Sequence, residues 1–251
     1  MVTLTNFFDN PNIKEIASAG GIKVYEHQAD LSLTPMEAAT AYYSSKMNVR
    51  KRQVLIQLNN DAYIISAGAM QWTAGDVKMA SNVKGVGDFL GKAFSGAVTK
   101  ESAIKPMYKG NGLLMLEPTY KHILLEDVAS WGGLVLDDGL FLACSESVKH
   151  KIVARSNLSS AVLGNEGMFN LSLNGQGIAV LESPVPREEL VQVNLENDEV
   201  RIDGNFAIAW SSSLQFTVEK SSKSLIGSAV SGEGLVNVYR GSGRILMAVV
   251  H

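Results

Sequence analysis

One short glycine-bearing phrase occurs three times in this chain, and its spacing constrains the fold more than any other feature. The copies are Gly110-Asn-Gly112-Leu-Leu-Met-Leu, Gly175-Gln-Gly177-Ile-Ala-Val-Leu and Gly241-Ser-Gly243-Arg-Ile-Leu-Met. Gly110 to Gly175 is 65 residues and Gly175 to Gly241 is 66. A glutamate precedes each copy, at Glu101, Glu166 and Glu233, in steps of 65 and 67. A second phrase opens each interval: Gln57-Leu-Asn-Asn-Asp61, Val135-Leu-Asp-Asp-Gly139 and Asn194-Leu-Glu-Asn-Asp198. Each reads as strand, polar turn and strand, with Gly68, Gly139 or Gly204 ahead of the next apolar run. Self-similarity at a fixed period is the signature of a repeat architecture.

A unit of about 65 residues made of short strands is marginal alone, whereas packed units cover one another's sheet faces and edges. The glycine pairs are expected to make tight turns into apolar strands. Leu190–Leu195, Phe206–Trp210 and Leu214–Val218 alternate as half-buried strands do. The chain therefore reads as all-β, a β-sandwich or double-stranded β-helix-like body of three similar repeats, 53–118, 119–185 and 186–250. The repeats imply approximate internal threefold symmetry, with short helices added. Residues 1–52 read as an N-terminal strand and helix extension packed on the single domain 53–250. Thr34-Pro-Met-Glu37 is a capping box ahead of a helix running to Lys46. Val86–Ala97 has helical apolar spacing, and shorter apolar pieces at 158–163 and 225–230 match it. One reading makes each a helical turn covering the open end of a sheet. Another makes the first a membrane- or partner-binding loop, carried by Phe89, Leu90 and Phe94.

Glycine-methionine and glutamate-glycine phrases carry a family resemblance. Gly68-Ala-Met70, Val77-Lys-Met79, Asn165–Gly177 and Gly232–Arg244 resemble the altered-inheritance-of-mitochondria family, number twenty-four, over roughly residues 53–250. The resemblance implies a β body of the kind found in the tryptophan RNA-binding attenuator protein. Through a fungal relative it also implies a role in supporting mitochondrial inner-membrane organisation. It brings no catalytic residues, because the family has none established.

Composition removes several functions. Across 251 residues, 46% are apolar and 19% charged, enough for a sizeable core. With 22 basic and 25 acidic side chains the net charge is -3, which argues against a dedicated nucleic-acid binder. The single Cys144 excludes an internal disulfide and a Cys-rich zinc module, and it reads as a partly buried free thiol. His27, His122, His150 and His251 are scattered, so no metal site is expected and no cofactor is assigned. Gly85–Lys92 misses both common phosphate-loop spacings. Trp72, Trp131 and Trp210 are expected in the core or at repeat contacts. Glu101, Glu166 and Glu233 read as carboxylates that accept backbone N–H bonds from their turns.

Arg50, Lys51 and Arg52 form the one basic cluster, close behind Tyr42 and Tyr43. They read as a solvated linker face. A stacking-and-phosphate surface is the competing reading. The expected protein is a non-enzymatic scaffold or binding protein, supporting membrane-associated assemblies, in the cytoplasm. Its expected partner is another protein or itself, with peripheral membrane contact through 86–97 as an option and nucleic acid disfavoured. The alternative is a small-molecule or nucleic-acid binding regulator on the same fold.

Overall fold

The computed structural model describes residues 2–80, 105–154, 169–220 and 235–250. An N-terminal hairpin, β1 (Ile13–Ala19) and β2 (Ile22–His27), leads to the helix α1 (Pro35–Lys46). Then come β3 (Arg52–Ile65), β4 (Met70–Ala80) and β5 (Met107–Leu116). The middle stretch holds β6 (His122–Asp127), a single 3-10 turn at Ala129–Trp131, β7 (Leu134–Leu136), β8 (Phe141–Ser145), β9 (Lys149–Ala154), β10 (Phe169–Asn174) and β11 (Ile178–Ser183). A 3-10 turn at Arg187–Glu189 precedes β12 (Leu190–Asp203), β13 (Ala207–Ser211), β14 (Gln215–Lys220) and β15 (Leu235–Ala248). The all-β expectation holds, and α1 starts where the capping box places it. The Glu37 carboxylate accepts bonds from the Thr34 N–H at 3.0 Å and from its hydroxyl at 2.6 Å.

The strands form two antiparallel sheets. The first runs β1-β2-β3-β8-β11-β6, with β5 on the other edge of β3 and β4 beyond it. The second runs β12-β15-β13-β7-β10-β9, with β14 on β15. Within 52–116, β5 lies between β3 and β4; within 190–248, β15 lies between β12 on one edge and β13 and β14 on the other. The middle stretch makes the same pairings with broken strands. β11 joins β6 to β8 in the first sheet, and β10 joins β7 to β9 in the second. The middle stretch therefore belongs to both sheets, and the largest apolar cluster is drawn mainly from it, around Leu136, Leu171, Leu181 and Trp131. Mutual closure is made at two joints, β3 with β8 and β7 with β13.

Two local expectations are corrected. The glycine pairs at 110–112 and 241–243 lie inside continuous strands and make no turn; only Gly175–Gly177 separates two strands. The requirement in the first pair is close backbone approach. A Cβ on Gly110 would stand 1.9 Å from the Asp76 carbonyl oxygen, and one on Gly112 would stand 2.1 Å from that of Ala74. The polar turns of the opening phrases in β3 and β12 are bulges instead, with Asn60 and Asn197 in the left-handed region. A bulge lets a long strand bend without ending. The expected loop helix at 86–97, its counterparts at 158–163 and 225–230, and Gly85–Lys92 lie outside the described residues. No helix among the described residues is long and apolar enough to cross a membrane.

Candidate functional site

The basic cluster sits where α1 returns to the first sheet. β2 and β3 pair with Glu26 opposite Arg52, so a carboxylate faces a guanidinium across the ladder. Arg52 is 2% exposed, and its Nη2 lies 2.8 Å from Glu26 Oε2. The same nitrogen donates to Asn48 Oδ1 at 2.7 Å and to the Asn48 carbonyl at 3.0 Å. Nη1 reaches the carbonyls of Arg50 and Tyr120. Asn48 can present both oxygens because it adopts a left-handed φ of 63° just past the helix. Arg50 Nη1 holds the other oxygen of Glu26 at 2.8 Å. Lys51 points the opposite way and pairs with Asp30 Oδ2 at 2.6 Å.

Burial alone would raise the Glu26 pKa, but the Arg50 hydrogen bond and the Arg52 and Arg50 charges outweigh it, so the carboxyl lies below its ordinary range. Asp30 is lowered chiefly by its bond from Lys51, then by Ser32. His122 is lowered by burial first and by the Arg52 charge second. The cluster is thus neither a solvated face nor a free phosphate surface. Arg52 is an interior residue, a correction to its expected place on a binding surface. The reason is that strand pairing brings Glu26 against it. Arg50 and Lys51 keep about a third of their side chains in water, at 29% and 33%.

Those two residues form part of the wall of a cleft of about 810 Å³ beneath α1. The helix side and its flanks contribute Leu33, Met36, Tyr42 and Val49. None of the twelve residues of α1 is buried, and Met36, Tyr43 and Met47 are 90%, 70% and 78% exposed. Its apolar side chains form no stripe, so the helix has no face designed for this sheet. A helix of this length draws little stability from itself. It is held at its ends, by the Thr34–Glu37 box at one and by Asn48 and the Ser45 carbonyl at the other. The arrangement can receive something with both apolar and polar surface.

Other expected residues fall elsewhere. Cys144 is fully buried in the core, where burial pushes its thiol up to about 12. Trp131 and Trp210 are core residues, and Trp72 packs partly buried on Leu55 and Met115. His150 is lowered by burial, then by Lys105. Among the described residues no three of His, Cys, Asp and Glu gather as metal ligands would. Phe89, Leu90, Phe94, Glu101, Glu166 and Glu233 lie outside the described residues. Sequence reasoning missed Glu26 and set Glu126 aside as a metal ligand beside His122 and Asp127; it is an interior carboxylate. Glu126 is 7% exposed, accepts the Trp131 indole N–H at 3.0 Å and is bonded by Arg187, while Arg244 lies over the Trp131 ring. Each stands among apolar residues in a short strand, which is the available signal for a buried carboxylate needing a partner.

Fold and cleft together define an all-β protein of two shared sheets with a helix standing off one of them. The chain belongs to the mitochondrial biogenesis AIM24 family, which it matches over residues 45–249. That span starts within α1 and includes Arg50, Lys51 and Arg52, eight residues ahead of the expected start at 53. The chain is 27% identical over 188 residues to the uncharacterized protein M6_Spy0233 of Streptococcus pyogenes serotype M6, covering 72% of this chain and 74% of the relative. It also resembles the X-ray structure of protein SPYM3_0169 from Streptococcus pyogenes, with a TM-score of 0.58 and 22% identity, over 82% of this chain and 90% of that one. The latter likeness is one of fold.

Proposed function

We propose that this protein is a non-catalytic binding protein that engages a protein partner through α1 and the cleft beneath it, as part of a larger, membrane-associated assembly. The observation that carries the reading is a twelve-residue helix with no buried side chain beside a cleft of about 810 Å³. Exposed Met36, Tyr43 and Met47 would cost less free energy covered by a partner than left in water. An attenuator-like body and a cytoplasmic location belong to the same proposal.

The test compares sizes. The chain in a native cell extract is expected to migrate as a larger particle than the purified chain, and a Tyr43→Glu, Met47→Glu variant is expected to migrate at the purified size. Equal migration of wild type in extract and in purified form would refute the reading. A second reading, a small-molecule regulator, is favoured by the cleft volume, which falls within the range of about 300–1,000 Å³ of ligand sites. Native mass spectrometry of the chain purified from its source would then show an added mass that Tyr42→Ala removes. The ion pairs of Arg50, Lys51 and Arg52 count against the nucleic-acid form of that reading.

A further inference from the structure

The two joints that tie one stretch of this chain to the next are built alike. Where β3 meets β8, Ile64 pairs with Cys144, the Ser66 N–H donates to the Leu142 carbonyl at 2.8 Å, and the Glu146 N–H donates to the Ala62 carbonyl at 3.0 Å. Where β7 meets β13, Val135 pairs with Trp210, the Asp137 N–H donates to the Ile208 carbonyl at 2.9 Å, and the Ser212 N–H donates to the Gly133 carbonyl at 2.9 Å. In both, the carbonyl that accepts belongs to a residue skipped by a bulge. Leu142 is skipped against β11, between Ala143 and Phe141, and Ile208 against β15, between Ala207 and Ala209.

β4 carries the same bulge. Gln71 is skipped against β5, between Met70 and Trp72. Yet among the described residues β4 pairs with β5 alone, so its outer edge has no strand on it. The donor half has its counterpart in β12. Tyr63 pairs with Tyr108 and Leu134 with Leu173, each two before its glycine pair, and the donors Ser66 and Asp137 stand three residues further along. Val200 pairs with Tyr239, likewise two before Gly241, so the β12 residue in the donor's place is Asp203. Among the described residues β12 pairs with β15 alone and likewise leaves an edge without a strand. The two halves of a third joint are therefore present, on different sheets, and unmatched.

We propose that β12 of one copy of this chain pairs with β4 of a second copy, repeating the internal joint between molecules. The register follows from the two made joints. Arg201 lies opposite Thr73, the Asp203 N–H donates to the Gln71 carbonyl, and the Gly75 N–H donates to the Glu199 carbonyl. Side chains fit this register. Ile202 meets Trp72, apolar against apolar, and half-buried Val200 meets half-buried Ala74. Glu199 and Arg201 are neutralised against Arg240 and Glu219, so the incoming strand brings no net repulsion. The surfaces on the two partners differ, so copies either exchange β12 reciprocally as a dimer or add head to tail. The joint is short and its flanks are charged, so association is concentration-dependent.

Cysteine trapping tests the register. Thr73→Cys protein is mixed with Arg201→Cys protein and oxidised mildly; Cys144 stays silent because it is fully buried. A crosslinked heterodimer is expected, with neither variant alone giving a comparable yield. Absence of that product overturns the proposal. So does a Thr73→Cys, Arg201→Cys double variant that crosslinks within one chain, because the edges would then close on themselves. Light scattering over a wide dilution series is the second readout. Wild type should exceed the mass of a single chain when concentrated, and Thr73→Pro, a proline on an exposed edge position, should reduce it to one chain with an unchanged melting temperature. Wild type that weighs one chain at every concentration overturns the proposal without bearing on the α1 cleft.

Discussion

Two arginine–carboxylate clusters in this protein use the same chemistry and do different work. Beneath α1, Glu26 bridges Arg50 and Arg52, with side chains 9%, 29% and 2% exposed. On β12, β14 and β15, Glu199, Arg201, Glu219 and Arg240 form a ring whose side chains are 32–43% exposed. The inner cluster has one carboxylate for two guanidinium groups and makes up the difference with carbonyls of Asn48, Arg50 and Tyr120. The outer ring balances two against two. Glu219 is held down to about 2 by bonds from Arg240 and Thr217, yet water screens the whole ring. The contrast shows that the strength of a pairing is a poor guide to its worth. What counts is the cost of the state left when one partner is removed.

The predictions put pressure on that contrast. Glu26→Gln should be the most damaging substitution, at about 3–5 kcal/mol in urea unfolding, because Arg52 is left as an uncompensated interior charge. A loss no larger than that of an exposed pair would erase the distinction between the clusters. Asn48→Ala comes next, at about 1.5–3 kcal/mol, since it removes a charge-assisted bond to the same guanidinium.

The third concerns pH. The Glu26 pKa is depressed on folding, so its contribution is complete above the ordinary Glu range and is lost as pH falls through the folded value. Melting temperature followed downward from neutral pH should decline less steeply in Glu26→Gln than in wild type; identical slopes would contradict it. Smallest of all, Glu219→Gln should melt within error of wild type, and added salt should leave that result unchanged. A clear loss there would mean that the ring is structural.

Much of the architecture was legible in the residues. Alternation at Leu190–Leu195 and Phe206–Trp210 marks β12 and β13, and Thr34 with Glu37 marks the start of α1 to the residue. Such signals are local: period, cap and turn chemistry act within a few positions. The glycine pairs at 110–112 and 241–243 look like turns in the sequence because positive φ is compatible with several backbone forms. Only the neighbouring strand, with the Asp76 and Ala74 carbonyls against Gly110 and Gly112, shows that they lie within a strand. The basic cluster was misjudged for a similar reason. Arg50 and Arg52 face Glu26 from 24 and 26 positions away, a distance that residue spacing does not encode.

Alone, the amino-acid order settled the all-β class, the recurrence of one phrase at about 65 residues and the place of the single described α-helix, since each follows from interactions between near neighbours. Tertiary structure decided which charges are interior, how the middle stretch is shared by two sheets, and which strand edges are left open. Those outcomes depend on which strands lie side by side. Many pairings of the same strands satisfy the local pattern equally well, and only packing chooses among them.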